Sequence, residues 1–267
     1  MIYIIFLIVS AVCCIIGFKK TVYFLSVGYG FSVAGLGIAF IAAINAGGYD
    51  HGILTMIQCL LFIAYGARLS GFLIYRELKS KSYQSILKNA RGGQERTVSP
   101  LLQAVIWAGV SVLYVLQTCP VFFRAVNGYG REIAFPLAGI TISLAGLCIE
   151  TAADLQKNSF KKTSPDKPAM RGLYRIVRCP NFFGEVLFWT GVFVGGADAL
   201  RGAVQWIMAV SGYIIILTVM VNSTQRLDRS QEKRYGKDPE YRSYADRTPI
   251  LIPLVPVCHI GRYKDDE

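Results

Sequence analysis

Apolar runs long enough to cross a bilayer restrict the fold of this chain more than any motif does. Seven are visible, at roughly 2–18, 21–44, 53–75, 101–123, 133–151, 182–200 and 203–222. A helix needs about 20 predominantly apolar residues to span the hydrocarbon core. Of the 267 residues, 53% are hydrophobic, and the excess over a soluble domain is gathered into these runs. The predicted fold is therefore all-α: a polytopic membrane protein of about seven transmembrane helices, forming a single domain over 1–267. The first run lacks the basic start of a signal peptide, and Lys19-Lys20 leads at once into the second. It is expected to be a retained helix.

The placement of charge gives an orientation. The net charge is +11, and the basic residues collect in two connections and the tail. The 76–99 loop holds Arg76, Lys79, Lys81, Lys88, Arg91 and Arg96. The 152–181 loop holds Lys157, Lys161, Lys162, Lys167, Arg171, Arg175 and Arg178. The 45–52 connection has Asp50 and no Lys or Arg. The positive-inside rule puts Lys19-Lys20, both basic loops and the C-terminus in the cytoplasm, with the N-terminus outside. Arg124 and Arg131 fall on the outer side and run against that pattern. Topology and anionic lipid account for most of the charge, and no nucleic-acid partner is expected. The seven cysteines form no CxxC pair and lie mostly inside apolar runs, so they read as small buried hydrophobes. With His51 and His259 as the only histidines, no metal site is expected.

Polar residues enter the apolar pattern in the second half. Pro180 is placed to open a helix, and Asn181, Glu185 and Trp189 then share one face at intervals of four. Glu150 and Asp154 lie four apart near the end of another span, where like charges repel and the helix dipole opposes them. Stability does not call for them there; the plain alternative is an ion pair with Lys157 or Lys161. Lys161, Lys162, Lys167, Arg171, Arg175 and Arg178 supply cations suited to phosphate. The segment Lys233 to Tyr244 adds tyrosines and arginines that stack on a base or anchor at the interface. Together these describe a cytosol-facing pocket for a phosphorylated aromatic cofactor. The prolines between Thr248 and Pro256 exclude a helix and predict an extended strip along the protein or membrane face. Gly28, Gly30, Gly35 and Gly37 are expected to let helices approach closely.

The order Glu150-x-x-x-Asp154, Gly172-Leu173-Tyr174, Pro180-Asn181-Phe182-Phe183-Gly184-Glu185 with Trp189, then Arg234-Tyr235-Gly236, Tyr244 and Ile252-Pro253, resembles the steroid 5-alpha-reductase superfamily. It is most similar to the bacterial DUF1295-type branch, and its last block also resembles the sterol C14 and C7 reductases. The resemblance implies NADPH-dependent reduction of a carbon–carbon double bond in a steroid- or lipid-like enone. It implies substrate-side helices in 1–130 and a cofactor-binding half in 131–267. Carried over by position, the cofactor contacts are Asp154, Lys161, Lys167, Asn181, Glu185, Tyr235 and Tyr244, with Glu150 standing where the steroid enzymes have asparagine. Arg178 joins them on charge alone. The Gln-Glu pair that grips a keto group on span 2 of the steroid enzymes is missing, with only Asn45 near the end of that span. Alignment of the third span puts Arg68 at the position of the enolate donor, with Tyr65 and Tyr75 as alternatives.

Two other readings stand beside this one. A membrane methyltransferase of the isoprenylcysteine carboxyl or phospholipid type shares a related Arg-His-Pro motif and uses S-adenosylmethionine; here the run is Arg178-Cys179-Pro180. A non-catalytic lipid-binding protein would keep the pocket without the donor. The expected partners are a lipid-like small molecule and membrane lipids, in a monomer. The absence of a retrieval-like tail favours a bacterial inner membrane over the endoplasmic reticulum.

Overall fold

The computed structural model describes residues 2–48, 52–79, 98–128 and 133–259. Among them the regular structure is entirely helical: α1 (Ile2–Cys14), α2 (Val27–Gly47), α3 (Gly52–Lys79), α4 (Pro100–Asn127), α5 (Ala134–Thr163), α6 (Pro180–Ala197), α7 (Gly202–Tyr235) and α8 (Pro239–Arg247). Short 3-10 turns cover Ile15–Phe18, Thr21–Leu25 and Gly172–Arg175. Asp50, His51, Arg131 and most of the basic 76–99 loop lie outside the described residues.

Among the described residues five helices are long and apolar enough to cross a membrane: Thr21–Gly47, Gly52–Lys79, Pro100–Asn127, Ala134–Thr163 and Gly202–Tyr235. The apolar Ile2–Phe18 is shorter. The 18-residue α6, with Asn181 and Glu185 in its first turns, is not among the five. Two helices outrun their apolar stretches. α5 continues to Thr163 and α7 to Tyr235, so Asp154 after Glu150 and the basic residues before Tyr235 ride on helix, not loop. Each extension ends in basic residues, which suit the negative end of the helix dipole.

The chain divides into two compact units, 1–141 with 191–213, and 142–190 with 214–267. In the first, α2 and α3 meet through glycines. A Cβ on Gly37 would lie 2.8 Å from the Cys59 carbonyl, and one on Gly66 2.7 Å from the Ala34 nitrogen. Only small residues permit that approach between membrane helices. Phe6, Phe40 and Phe122 pack ring against ring, with centroids 4.7–5.3 Å apart. Arg124 is buried, donates to the Gly195 carbonyl at 2.7 Å and pairs with Asp198. One of the two arginines that ran against the charge pattern is thus neutralised within the protein.

In the second unit α5 and α6 meet through Gly146 and Gly184. A Cβ on Gly184 would lie 2.7 Å from both the Glu150 nitrogen and the Gly146 carbonyl. Ser143 Oγ donates to the Phe188 carbonyl at 3.1 Å in the same seam. The proline-rich tail runs along the start of α6. The Arg178 and Cys179 N–H groups donate to the carbonyls of Pro249 and Ile250 at 2.8 and 3.0 Å. Ile250 and Leu251 pack with Cys179, Phe182, Phe183 and Leu227. The segment lies on the protein, but it is not the extended strip expected: it turns over 250–255, and the Ile250 N–H donates to the Val257 carbonyl at 2.9 Å.

Candidate cofactor-binding site

All nine residues expected to hold a cofactor belong to the second unit. The Gly146–Gly184 seam sets the first group. Glu150 on α5 is 3% exposed and Glu185 on α6 6% exposed, one on each side of it. Asn181 is one turn before Glu185, and its Oδ1 is buried with no hydrogen-bond partner among the described residues. Trp189 closes the same face, buried edge-on against Phe188 with ring centroids 5.1 Å apart. Buried carboxylates at this depth are costly to packing alone.

A second group joins α5, the 3-10 turn at Gly172–Arg175 and α8. Tyr174 donates through its hydroxyl to the Ala153 carbonyl at 3.2 Å, and Tyr244 donates to the Tyr174 carbonyl at 2.6 Å. Burial pushes the Tyr174 phenol up, and the charge of Asp154 adds to it. Burial also pushes up Tyr244, against the pull of Arg178. Both stay protonated donors throughout the physiological range. Asp154, half-buried, therefore acts on the same turn that Tyr244 holds.

Lys161 builds the third group. Its Nζ donates to the carbonyls of Lys167 and Pro165 at 2.6 and 3.0 Å and to the Tyr235 hydroxyl at 2.9 Å. It also lies 5.4 Å from the Tyr235 ring centroid, as does the Arg234 guanidinium. Lys161, Lys167 and Tyr235 are thus brought together, with the Lys167 side chain exposed.

Arg178 has another place. It is 2% exposed, pairs with Asp228 at 2.8 Å, reaches the Tyr241 hydroxyl at 3.5 Å and donates to the Cys258 carbonyl. Burial lowers its pKa, but the charge and hydrogen bond of Asp228, with Tyr241 and Cys179, together outweigh that and the net direction is upward. Its side chain pins the tail to α7, so it is not available to phosphate as the charge argument expected. Sequence does not distinguish it from Arg171 and Arg175, which are exposed.

The three candidate donors belong to the first unit. Tyr65 on α3 is fully buried and donates to the Tyr29 hydroxyl at 3.2 Å. The Tyr29 ring stacks on Tyr114 at 5.0 Å, and Tyr114 donates to the Phe24 carbonyl at 2.6 Å. Arg68 is half-buried, 5.9 Å from the Phe72 ring. Tyr75 is 46% exposed, with Lys79 over its ring at 5.2 Å. Tyr29 is the residue sequence reasoning missed. It is a polar tip in an apolar span, and its spacing gives no sign of a partner on α3.

An all-helical protein with membrane-length helices and a polar, acid-bearing C-terminal unit is the class so defined. The family described as a protein of unknown function (DUF1295) matches residues 15–248, and the chain belongs to it. An uncharacterized protein of Schizosaccharomyces pombe is 28% identical over 95 residues, 36% of this chain and 26% of the relative. The match thus spans about a quarter of that curated relative's length. No solved structure matches.

Proposed function

We propose that this protein is an NADPH-dependent reductase of a carbon–carbon double bond in an enone-bearing, lipid-like molecule. In this reading it crosses the membrane seven times, with the C-terminal unit facing the cytoplasm. The neutralisation of Arg124 by Asp198 supports that orientation, because it removes an outer-side charge from the count.

One observation carries the cofactor reading: Asn181 Oδ1, a buried acceptor without a donor on the same α6 face as the buried Glu185. A carboxamide or a sugar hydroxyl supplies the missing N–H or O–H. The surrounding chemistry fits the same group. Glu150, Glu185 and Asp154 accept from hydroxyl and amino groups. Tyr235 offers a ring and the exposed Lys167 offers positive charge for phosphate, while Lys161, whose three N–H groups already go to Pro165, Lys167 and Tyr235, holds the two in place. Arg178 is structural in this scheme: it ties the tail to α7 and to Tyr241 of α8. NADPH supplies the hydride when bound.

The protein's own contribution is electrostatic. Reduction at the β-carbon of an enone builds negative charge on the carbonyl oxygen, and a fixed donor must meet it. Arg68 carries a guanidinium with several N–H donors and qualifies on that ground. The buried Tyr65–Tyr29 hydroxyl pair is the alternative donor and also a proton source for the α-carbon.

The test is a binding titration of full-length protein in detergent, read by intrinsic fluorescence, with NADPH and with S-adenosylmethionine. Saturable quenching by NADPH alone is expected. Quenching by S-adenosylmethionine alone would replace the reductase with a methyltransferase.

A further inference from the structure

The first unit holds a polar side chain that its own packing leaves unanswered. Gln117 on α4 is 3% exposed, and both ends of its amide, Oε1 and Nε2, are buried with no hydrogen-bond partner among the described residues. Burying an amide this way is costly, the more so in a span surrounded by lipid. Leucine would fill the same volume without that cost, so packing does not call for glutamine.

The backbone around Gln117 is fixed. A Cβ on Gly212 would lie 2.6 Å from the Gln117 nitrogen, so α7 presses directly on α4 at this point. Pro120 lies inside the helix and has no N–H to return to the Leu116 carbonyl, which leaves α4 locally open beside Gln117. Tyr114 is three residues earlier on the same side of the helix. It stacks on Tyr29, whose hydroxyl receives the bond from Tyr65. An amide from α4 and a hydroxyl pair from α2 and α3 thus lie on either side of Tyr114. The cation that lies seven residues on, Arg124, is already paired with Asp198.

We infer that Gln117 holds the head of an apolar ligand inside the N-terminal unit, through a neutral group that both donates and accepts: a hydroxyl or a carboxamide. Such a group meets Nε2 and Oε1 together. An ester or ketone answers only the donor end, and a carboxylate would lack a cation. The inference rests on the lipid-substrate reading above for its apolar body, and adds the polar group by which that body is held.

The experiment uses full-length protein in detergent without nucleotide, and a diazirine-bearing hexadecanamide as photoprobe, with labelled peptides mapped by mass spectrometry. Labelling is expected to saturate, to fall on α2, α3 and α4, and to be competed by hexadecanamide and hexadecan-1-ol but not by hexadecane or palmitate. Gln117→Leu should weaken the probe about tenfold or more, since both of the amide's hydrogen bonds are lost. It should melt no lower than the parent. Gln117→Met serves the same purpose if the leucine variant does not fold. Equal competition by hexadecane, absence of saturable labelling, or parental affinity in both variants overturns the inference and leaves the amide to buried water. Because nucleotide is absent, such a result does not touch the NADPH reading, and a failed NADPH titration does not touch this one.

Discussion

Asn181 and Arg178 lie three positions apart and do opposite work. Asn181 keeps a buried oxygen without a donor, whereas both terminal nitrogens of Arg178 are taken up by Asp228, Tyr241 and the Cys258 carbonyl, and only its Nε lacks a partner among the described residues. Asn181→Ala should therefore weaken NADPH by about tenfold while leaving the melting temperature unchanged; unchanged affinity in a fluorescence titration would remove the amide from the site. Arg178→Ala strands the Asp228 carboxylate in a buried place, and should cost about 3–5 kcal/mol in a thermal melt. Arg178→Met combined with Asp228→Leu should recover most of that and keep NADPH affinity near parental, since no phosphate contact is lost. The tyrosines of this unit give a pH dependence. Burial pushes Tyr241 up to about 12 from 10.0, and Tyr174 and Tyr244 move the same way. A phenol that stays protonated when folded but ionises when unfolded adds stability below pH 10 and loses it as pH rises toward 12. Melting temperature should fall between those values, and less steeply in Tyr241→Phe. The candidate acids and Asn181 were legible because carboxylates and amides near a membrane boundary need a reason. Arg178 was misjudged because its partners, Asp228 and Cys258, come from far along the chain, and residue type alone does not report burial.

Helix seams explain why the motif residues stay together. Gly184 stands within Pro180–Glu185, yet its evident role is to let α6 approach α5 beside Glu150. Adding a methyl there would set a Cβ 2.7 Å from backbone atoms that cannot yield as a side chain does. Gly184→Ala should destabilise by about 1–3 kcal/mol in a thermal melt, and should weaken NADPH because Glu150 and Glu185 sit on the two sides of that seam. Gly71→Ala is the control. It meets nothing within 4 Å on α3, and should be neutral or stabilising by up to about 1 kcal/mol. If both substitutions behave alike, the seam has no special place in the site. Hydropathy made the helices legible but not their ends. It registers where the hydrocarbon stops, and α5 and α7 continue past that point as polar helices to Thr163 and Tyr235. Gln117 is hidden by the same averaging, since one amide scarcely alters the apolarity of a 28-residue helix.

Across the molecule, the division into units separates the two halves of the proposed chemistry. Every candidate cofactor residue, from Glu150 to Tyr244, belongs to the second unit, and Arg68, Tyr65 and Tyr75 belong to the first. Variants should divide the same way. Arg68→Ala and Tyr65→Phe are expected to leave the dissociation constant for NADPH unchanged. One of them should lower turnover of an enone such as cholest-4-en-3-one by about 10²–10³-fold, the usual loss on removing a donor from a developing oxyanion. Tyr75→Phe should change neither, because its ring is exposed beneath Lys79. A loss confined to Tyr65→Phe assigns the donor to the Tyr65–Tyr29 pair, since the hydroxyl it removes is the one that bonds Tyr29; a loss confined to Arg68→Ala assigns it to the guanidinium. NADPH oxidation and steady binding must be measured on the same preparation, so that a partly unfolded variant is not read as a catalytic one. Full turnover in both variants, with NADPH bound normally, would take the donor away from α3 altogether.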